Sequence, residues 1–184
     1  LSAHGGAQEY FGVTPDMCTL AKALGGGVPI AAVCGKTEVM SVLNPVGHTV
    51  MSGTYTGHLT AVMGAIACQT EIARPGFYED INGLADQLYK GMTEALRVAG
   101  VPAIVQGIGA RFGVYFGMTE PVTNYRQTVR VNREMETCFI LGCVKRGLYF
   151  HDYGHTMHHG FSSQHTPADI DEALNIIEDA LRDL

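Results

Sequence analysis

The sequence predicts an α/β chain whose first part carries a ligand site and whose second part is a smaller α+β unit. Three observations lead there: apolar runs of strand length bounded by glycine and proline near the start, one long amphipathic stretch in the middle, and two strand-like runs around Gly107-Ile108-Gly109. Hydrophobic residues are 46% of the 184 and charged residues only 16%, which suits a chain with a buried core and excludes a disordered one.

Residues 1–16 are glycine-rich and end in Thr14-Pro15-Asp16, reading as loop with one short turn. Residues 17–21 are a short apolar run suited to a buried strand that delivers Lys22 at its carboxyl end. Residues 29–34 read as a second buried strand closed by Gly35. Thr37 can cap a short helix over 38–43, stopped by Asn44-Pro45. Residues 48–57 read as a strand edge leading into a loop. Residues 59–73 form a helix ended by Arg74-Pro75-Gly76, and this Pro-Gly pair divides the chain into domains 1–75 and 76–184. A long helix follows over 77–98, with Ile81, Leu84, Leu88, Met92, Ala95 and Leu96 near helical spacing and Gly100 as its stop.

Residues 103–106 and 112–116 make a hairpin of an antiparallel sheet. A single helix is expected from Tyr125 or Arg126 to Arg146, then short strands at 148–150 and 159–162. The closing helix carries the plainest signals: Thr166 as cap, Pro167 in the first turn, Asp169 at the positive end, and a stripe of Ile170, Leu174, Ile177 and Leu181.

Composition narrows the function classes. A net charge of −6 without a Lys/Arg run argues against a nucleic-acid surface. No apolar run reaches membrane-spanning length and no signal peptide opens the chain. The five cysteines Cys18, Cys34, Cys68, Cys138 and Cys143 are odd in number, scattered and without a Cys-x-x-Cys pair. They read as reduced thiols of a cytoplasmic protein, and none has a catalytic base visible beside it.

The chemistry centres on Leu20-Ala21-Lys22-Ala23-Leu24-Gly25-Gly26-Gly27-Val28. Apolar surroundings lower a lysine's pKa by disfavouring its charged form, and successive glycines let backbone approach a flat ligand. A lysine so placed can hold a carbonyl cofactor as a Schiff base. Taken alone, Lys-Ala-Leu-Gly is more often a surface lysine before a loop. The surrounding text changes that balance.

Within residues 3–35 the chain reads His-Gly-Gly-Ala-Gln-Glu-Tyr-Phe-Gly-Val-Thr-Pro-Asp and then Leu-Ala-Lys-Ala-Leu-Gly-Gly-Gly-Val-Pro-Ile-Ala-Ala-Val-Cys-Gly. Ser52-Gly53-Thr54-Tyr55-Thr56-Gly57 follows at a matching distance. This closely resembles the class III aminotransferases, and within them the glutamate-1-semialdehyde 2,1-aminomutase-like branch. The resemblance implies the carboxyl-terminal part of a fold-type I large domain followed by a small α+β domain. It implies pyridoxal 5'-phosphate carried by Lys22, with Gly53 and Thr54 on the phosphate. It further implies a homodimer in which Thr54 reaches the neighbouring subunit's cofactor, with a small-molecule amino donor and keto acceptor as substrates. Where the family continues with Asn-Pro after this glycine, His58-Leu59 stand here.

On the same resemblance, an aspartate for the pyridine nitrogen, a Ser-Gly-x-x-Ala phosphate loop and a stacking aromatic are expected upstream of Leu1. The chain alone is therefore expected to turn over little or nothing. The first functional reading is amino-group transfer through Lys22, and an aminomutase of the glutamate-1-semialdehyde type is its alternative.

A reading from another class rests on His151-Asp152-Tyr153-Gly154-His155-Thr156-Met157-His158-His159. Imidazoles beside a carboxylate suit zinc, yet Gly154 disfavours a helix there and no distant Cys/His pair completes a tetrahedron. No metal is assigned. By resemblance this stretch lies where the small domain turns back toward the active site, and true aminomutases carry a Pro-Ser pair and a glutamate there. That departure favours the aminotransferase. His151, His155 and His159 become substrate candidates for a carboxylate or ring, against the plainer reading of solvated or capping histidines. Arg111 and Arg126 have the chemistry of carboxylate clamps, but a structural role suits both better. A non-catalytic remnant or a histidine-rich metal module is the second alternative.

Overall fold

The structure, a computed structural model, describes residues 3–152 and 154–184; Leu1, Ser2 and Tyr153, the tyrosine of the histidine-rich run, lie outside the described residues. The chain divides into two compact units, Ala3–Tyr78 and Glu79–Leu184.

The first unit opens with helix α1 (Gly6–Phe11), where only a turn was expected. Glu9 reaches back to the Gly5 N–H at 2.5 Å, and Gly12 closes the helix in the left-handed region with φ 64. The Val13 N–H then returns to the Gln8 carbonyl at 2.9 Å, satisfying a carbonyl the helix leaves over. Strands β1 (Met17–Leu20) and β2 (Ala32–Gly35) pair antiparallel, with Cys18 opposite Cys34 and Leu20 opposite Ala32.

β1 stands where expected, whereas β2 starts three residues later than the expected 29–34 and includes Gly35, and neither is buried: Met17, Leu20 and Val33 are exposed. An unbroken apolar strand is buried when layers cover both faces of its sheet, and the exposure of these three shows that the described residues of this unit do not cover both faces of the two-stranded sheet. Helix α2 (Thr37–Met40) is capped from Lys36, so Thr37 is its first residue rather than its cap. Residues 48–57 form no strand beyond an isolated bridge between Leu43 and Thr49. Helix α3 (Leu59–Ile72) ends against Ala73, as the Arg-Pro-Gly signal predicts.

In the second unit, helix α4 (Phe77–Ala99) lays Leu84, Leu88, Met92, Ala95 and Leu96 into the core. Strands β3 (Ala103–Ile108) and β4 (Arg111–Phe116) form the expected hairpin, with Ile108 opposite Arg111. Gly109 turns it with φ 54, a conformation that a side chain would strain. The Tyr89 hydroxyl of α4 pins the turn by donating to the Gly109 carbonyl at 2.5 Å. On β4, Phe112, Val114 and Phe116 alternate onto the core face.

The single helix expected from about residue 125 to 146 is two: α5 (Tyr125–Thr128) and α6 (Arg133–Lys145). The cause is non-local. The Asn132 N–H goes to the Phe116 carbonyl at 2.8 Å, at the end of β4, so it cannot continue a helix. Its side chain instead caps α6 by accepting from the Met135 N–H. Residues 148–150 form no strand, and β5 is only His159–Gly160, paired antiparallel to β4.

Helix α7 (Pro167–Leu181) begins with a full capping box between Thr166 and Asp169. It crosses α4 where Gly91 leaves room for Leu174; a Cβ at Gly91 would lie 2.4 Å from Leu174 Cδ1. Gln87 of α4 fastens the start of α7 by donating to Asp171 at 2.6 Å. Among the described residues, no helix is long and apolar enough to cross a membrane.

Candidate active site

Lys22 opens a single 3-10 turn, Lys22–Leu24, directly after β1 and the extended Ala21. It is the one non-glycine residue among those described with positive φ, at 53°. A left-handed conformation costs a residue with a Cβ roughly 1–2 kcal/mol, so the surroundings must hold it there. Within the turn, the Leu24 N–H donates to Ala21 and the Gly25 N–H to Lys22, each at 3.1 Å.

The three glycines that follow answer to different constraints. Gly25 is buried where a Cβ would meet Ile30 Cγ2 at 2.6 Å and the Val28 carbonyl at 2.7 Å. Gly26 is left-handed with φ 59 and sits against Cys68, whose Sγ a Cβ would approach to 2.7 Å. Gly27 has φ 120, which favours glycine alone.

Lys22 is exposed, so this unit does not enclose it in the apolar surroundings anticipated for it. It lines a cleft of about 400 Å³ together with Thr19, Leu20, Ala31 and Met51. A second cleft of about 440 Å³ shares Ala31 and Met51 with the first and is lined by Gly53, Tyr55, Thr56 and Gly57. The structure thus brings Lys22 and Gly53 to adjoining clefts. Thr54 is exposed and is not among the described residues lining either one. The 53–57 segment is a tight turn: the Thr56 N–H donates to Gly53 at 3.0 Å and the His58 N–H to Tyr55 at 3.1 Å.

The three histidine candidates belong to the second unit and differ among themselves. His151 is exposed, with its Nδ1 3.0 Å from the Tyr149 hydroxyl. His155 is half-buried, its Nδ1 3.3 Å from the Thr128 carbonyl. His159 is buried against the rings of Phe150 and Phe112, at 4.9 and 5.6 Å between centroids.

Burial pulls the His159 imidazole down to about 4, and the neighbouring His158 and His151 push the same way. It is therefore neutral at physiological pH. The unfolded state takes up this proton near 6.5 and the folded state only near 4, so stability is fully present above 6.5 and is lost as pH falls toward 4. The loss amounts to about 3 kcal/mol. Melting temperatures measured across that window should fall more steeply for the wild type than for His159→Leu. Parallel curves would contradict this assignment.

Sequence reading missed what holds this loop. Arg133 donates to Asp152 Oδ1 at 2.5 Å and to the Gly154 carbonyl at 2.7 Å, and it also pairs with Glu136. The guanidinium keeps the Asp152 carboxyl below its ordinary range. Glu136 is buried, and burial raises its pKa despite Arg133. Arg111 and Arg126, the two arginines considered as clamps, are exposed. Among the described residues no three His, Cys, Asp or Glu side chains gather as a metal site.

Gln69 was missed as well. It lies on α3 and bonds to the turn that carries Lys22, but within Gln69-Thr70-Glu71 nothing in the sequence marks it out.

Comparison with known proteins covers nearly the whole chain. The family model for aminotransferase class-III matches residues 3–181. An omega-transaminase from Sphaerobacter thermophilus superposes with a TM-score of 0.88 at 28% identity, over 99% of this chain and 42% of that one. A β-phenylalanine aminotransferase from Variovorax paradoxus gives 0.85 at 22% identity, over 96% of this chain and 40% of its own. A transaminase with pyridoxal phosphate bound gives 0.78 at 23% identity, over 96% and 40%. The last two show the shared fold. The chain spans about 42% of the length of the Sphaerobacter enzyme.

Proposed function

Because the chain belongs to the class III aminotransferase family, we propose that the protein transfers an amino group between an amino acid or amine and a keto acid or aldehyde, with Lys22 as the reacting residue. The placement of Lys22 carries this reading. A strained lysine at the carboxyl end of a strand, followed by a glycine turn and opening on a cleft, is an amine placed to meet a ligand, exposed as its side chain is in this unit.

The cofactor is pyridoxal 5'-phosphate, which when bound supplies an electron sink for the bonds around the substrate's amino-bearing carbon. The residues present fit it: Lys22 Nζ is accessible for its aldehyde, and the adjoining cleft offers Gly53 without a side chain and the Thr56 hydroxyl beside it. Lys22 would hold the cofactor in the resting state. Once freed by the substrate amine, Lys22 Nζ would take the proton from the substrate carbon and deliver it to the carbon that had been the cofactor's aldehyde, leaving the amino group there.

On the family resemblance, the exposed Thr54 would serve the phosphate site of a second subunit in a homodimer. Residues 1–75 would then belong to the cofactor-binding domain and 76–184 to the small domain. Of the three histidine candidates, His151 is exposed, His155 half-buried and His159 buried, and each has neighbours in its own unit.

Exchange between two molecules is preferred to an aminomutase reaction. The similarity at 28% identity to an omega-transaminase supports that choice, as does the histidine-rich run itself. The test uses the full-length protein mixed with pyridoxal phosphate. A visible absorbance band that borohydride fixes onto Lys22 is the expected result. No band and no label, with tight zinc binding by the histidine run, would overturn the reading in favour of a metal module.

A further inference from the structure

We propose that Gln69 is a positioning residue for Lys22, a role that rests on the reading of Lys22 given above. From α3, Gln69 Nε2 donates to the Leu24 carbonyl at 2.9 Å and reaches the Ala23 carbonyl at 3.5 Å. Cys68 Sγ donates to the same Ala23 carbonyl at 3.4 Å. These are the two carbonyls immediately after Lys22, and Leu24 stands 45 positions away from Gln69 along the chain. The same helix seats the rest of the turn. Gly26 abuts Cys68, and Gly64 leaves room for Val28, whose Cγ1 a Cβ at Gly64 would approach to 2.9 Å.

A single 3-10 turn has no following helix to supply donors for its last carbonyls. Gln69 supplies one. Lys22 keeps its left-handed φ of 53 because the turn after it is held from outside as well as by its own two bonds. With the Leu24 carbonyl released, the backbone at Lys22 can relax toward the right-handed region and carry Nζ away from the cleft. A side chain that merely fills space could be replaced by any other of its size. A positioning residue needs an N–H or O–H aimed at the carbonyl.

The experiment compares the full-length wild type with Gln69→Met and Gln69→Glu. It reads Lys22 labelling by limiting pyridoxal phosphate and acid-stable cyanoborohydride from about pH 4 to about pH 8, and amide hydrogen exchange at residues 23–28 without cofactor. Gln69→Met should cut labelling about five- to tenfold, the factor one neutral hydrogen bond is worth, and speed exchange at 23–28 while the melting temperature stays close to wild type. Gln69→Glu should label like the wild type at the acid end, where its carboxyl has a proton to donate. At the alkaline end it should behave like Gln69→Met. Wild-type labelling and exchange in Gln69→Met, or a Gln69→Glu profile parallel to wild type, would overturn the proposal. Absence of label on the wild type would instead sink the cofactor reading, and exchange at 23–28 would still decide whether Gln69 holds the turn.

Discussion

Lys22→Ala is expected to abolish both the visible band and the borohydride-fixed label, and to lower turnover of the full-length protein by about a thousandfold or more. The size of the effect follows from asking one amine to do two jobs. It would hold the cofactor through its carbonyl and also move the substrate's proton. An exposed side chain contributes little to the core, so the variant should keep its stability within about 0.5 kcal/mol of wild type. Alanine also retains the strain of a Cβ at φ 53, so the backbone is perturbed no further. Lys22→Arg separates charge from chemistry: guanidinium keeps the positive charge but does not condense with an aldehyde under these conditions. Both variants should fail alike. Label recovered on Lys36 or another lysine at wild-type levels would refute the assignment.

Phe116→Ala should be the most damaging substitution to stability, at about 3–5 kcal/mol. Phe116 ends β4 with none of its surface exposed, and its ring lies 5.1 Å from that of Phe139 on α6. Its carbonyl also accepts the Asn132 N–H that sets the start of α6, so collapse around the cavity would disturb a helix cap as well as the sheet. A domain of this size has about 5–15 kcal/mol in total. Denaturant unfolding should therefore show a midpoint shifted far toward water. Tyr149→Ala, at an exposed aromatic, is the control and should cost about 0.5 kcal/mol or less, leaving the midpoint close to wild type. Equal midpoints for the two variants would contradict this account of the core.

What could be read from sequence was what local chemistry determines. The cap at Thr166 with Asp169 in the first turn, the stripe on α4, and the glycine-turned hairpin each rest on residues a few positions apart, and all three are present, although Gly107 and Ile108 extend β3 instead of forming the turn. So are the strand before Lys22 and the glycine turn after it. What misled was set at a distance. The break before α6 depends on one N–H finding the end of β4, and no pattern within residues 125–146 encodes that bond. Burial of β1 and β2 was inferred from their apolar residues, but burial belongs to whatever layers lie over a sheet, and the described residues of this unit leave Met17, Leu20 and Val33 uncovered. Gln69 and Arg133 reach their partners across 45 and 19 positions. Neither side chain stands in any motif, so their part in shaping the Lys22 turn and the histidine-rich loop became visible only in three dimensions.

The hairpin turn at Gly109 has a consequence for the order in which the second unit assembles. β3 and β4 are neighbours in the chain and meet at almost no loop-closure cost, whereas β5 must come back after two intervening helices to pair with Arg111 and Phe112. The third strand should therefore dock last and detach first. Native-state exchange at the His159 and Gly160 amides should outpace that at Val114. Each such opening uncovers an imidazole that the closed state keeps neutral, so mild acid should find its way into this unit along the β4–β5 seam.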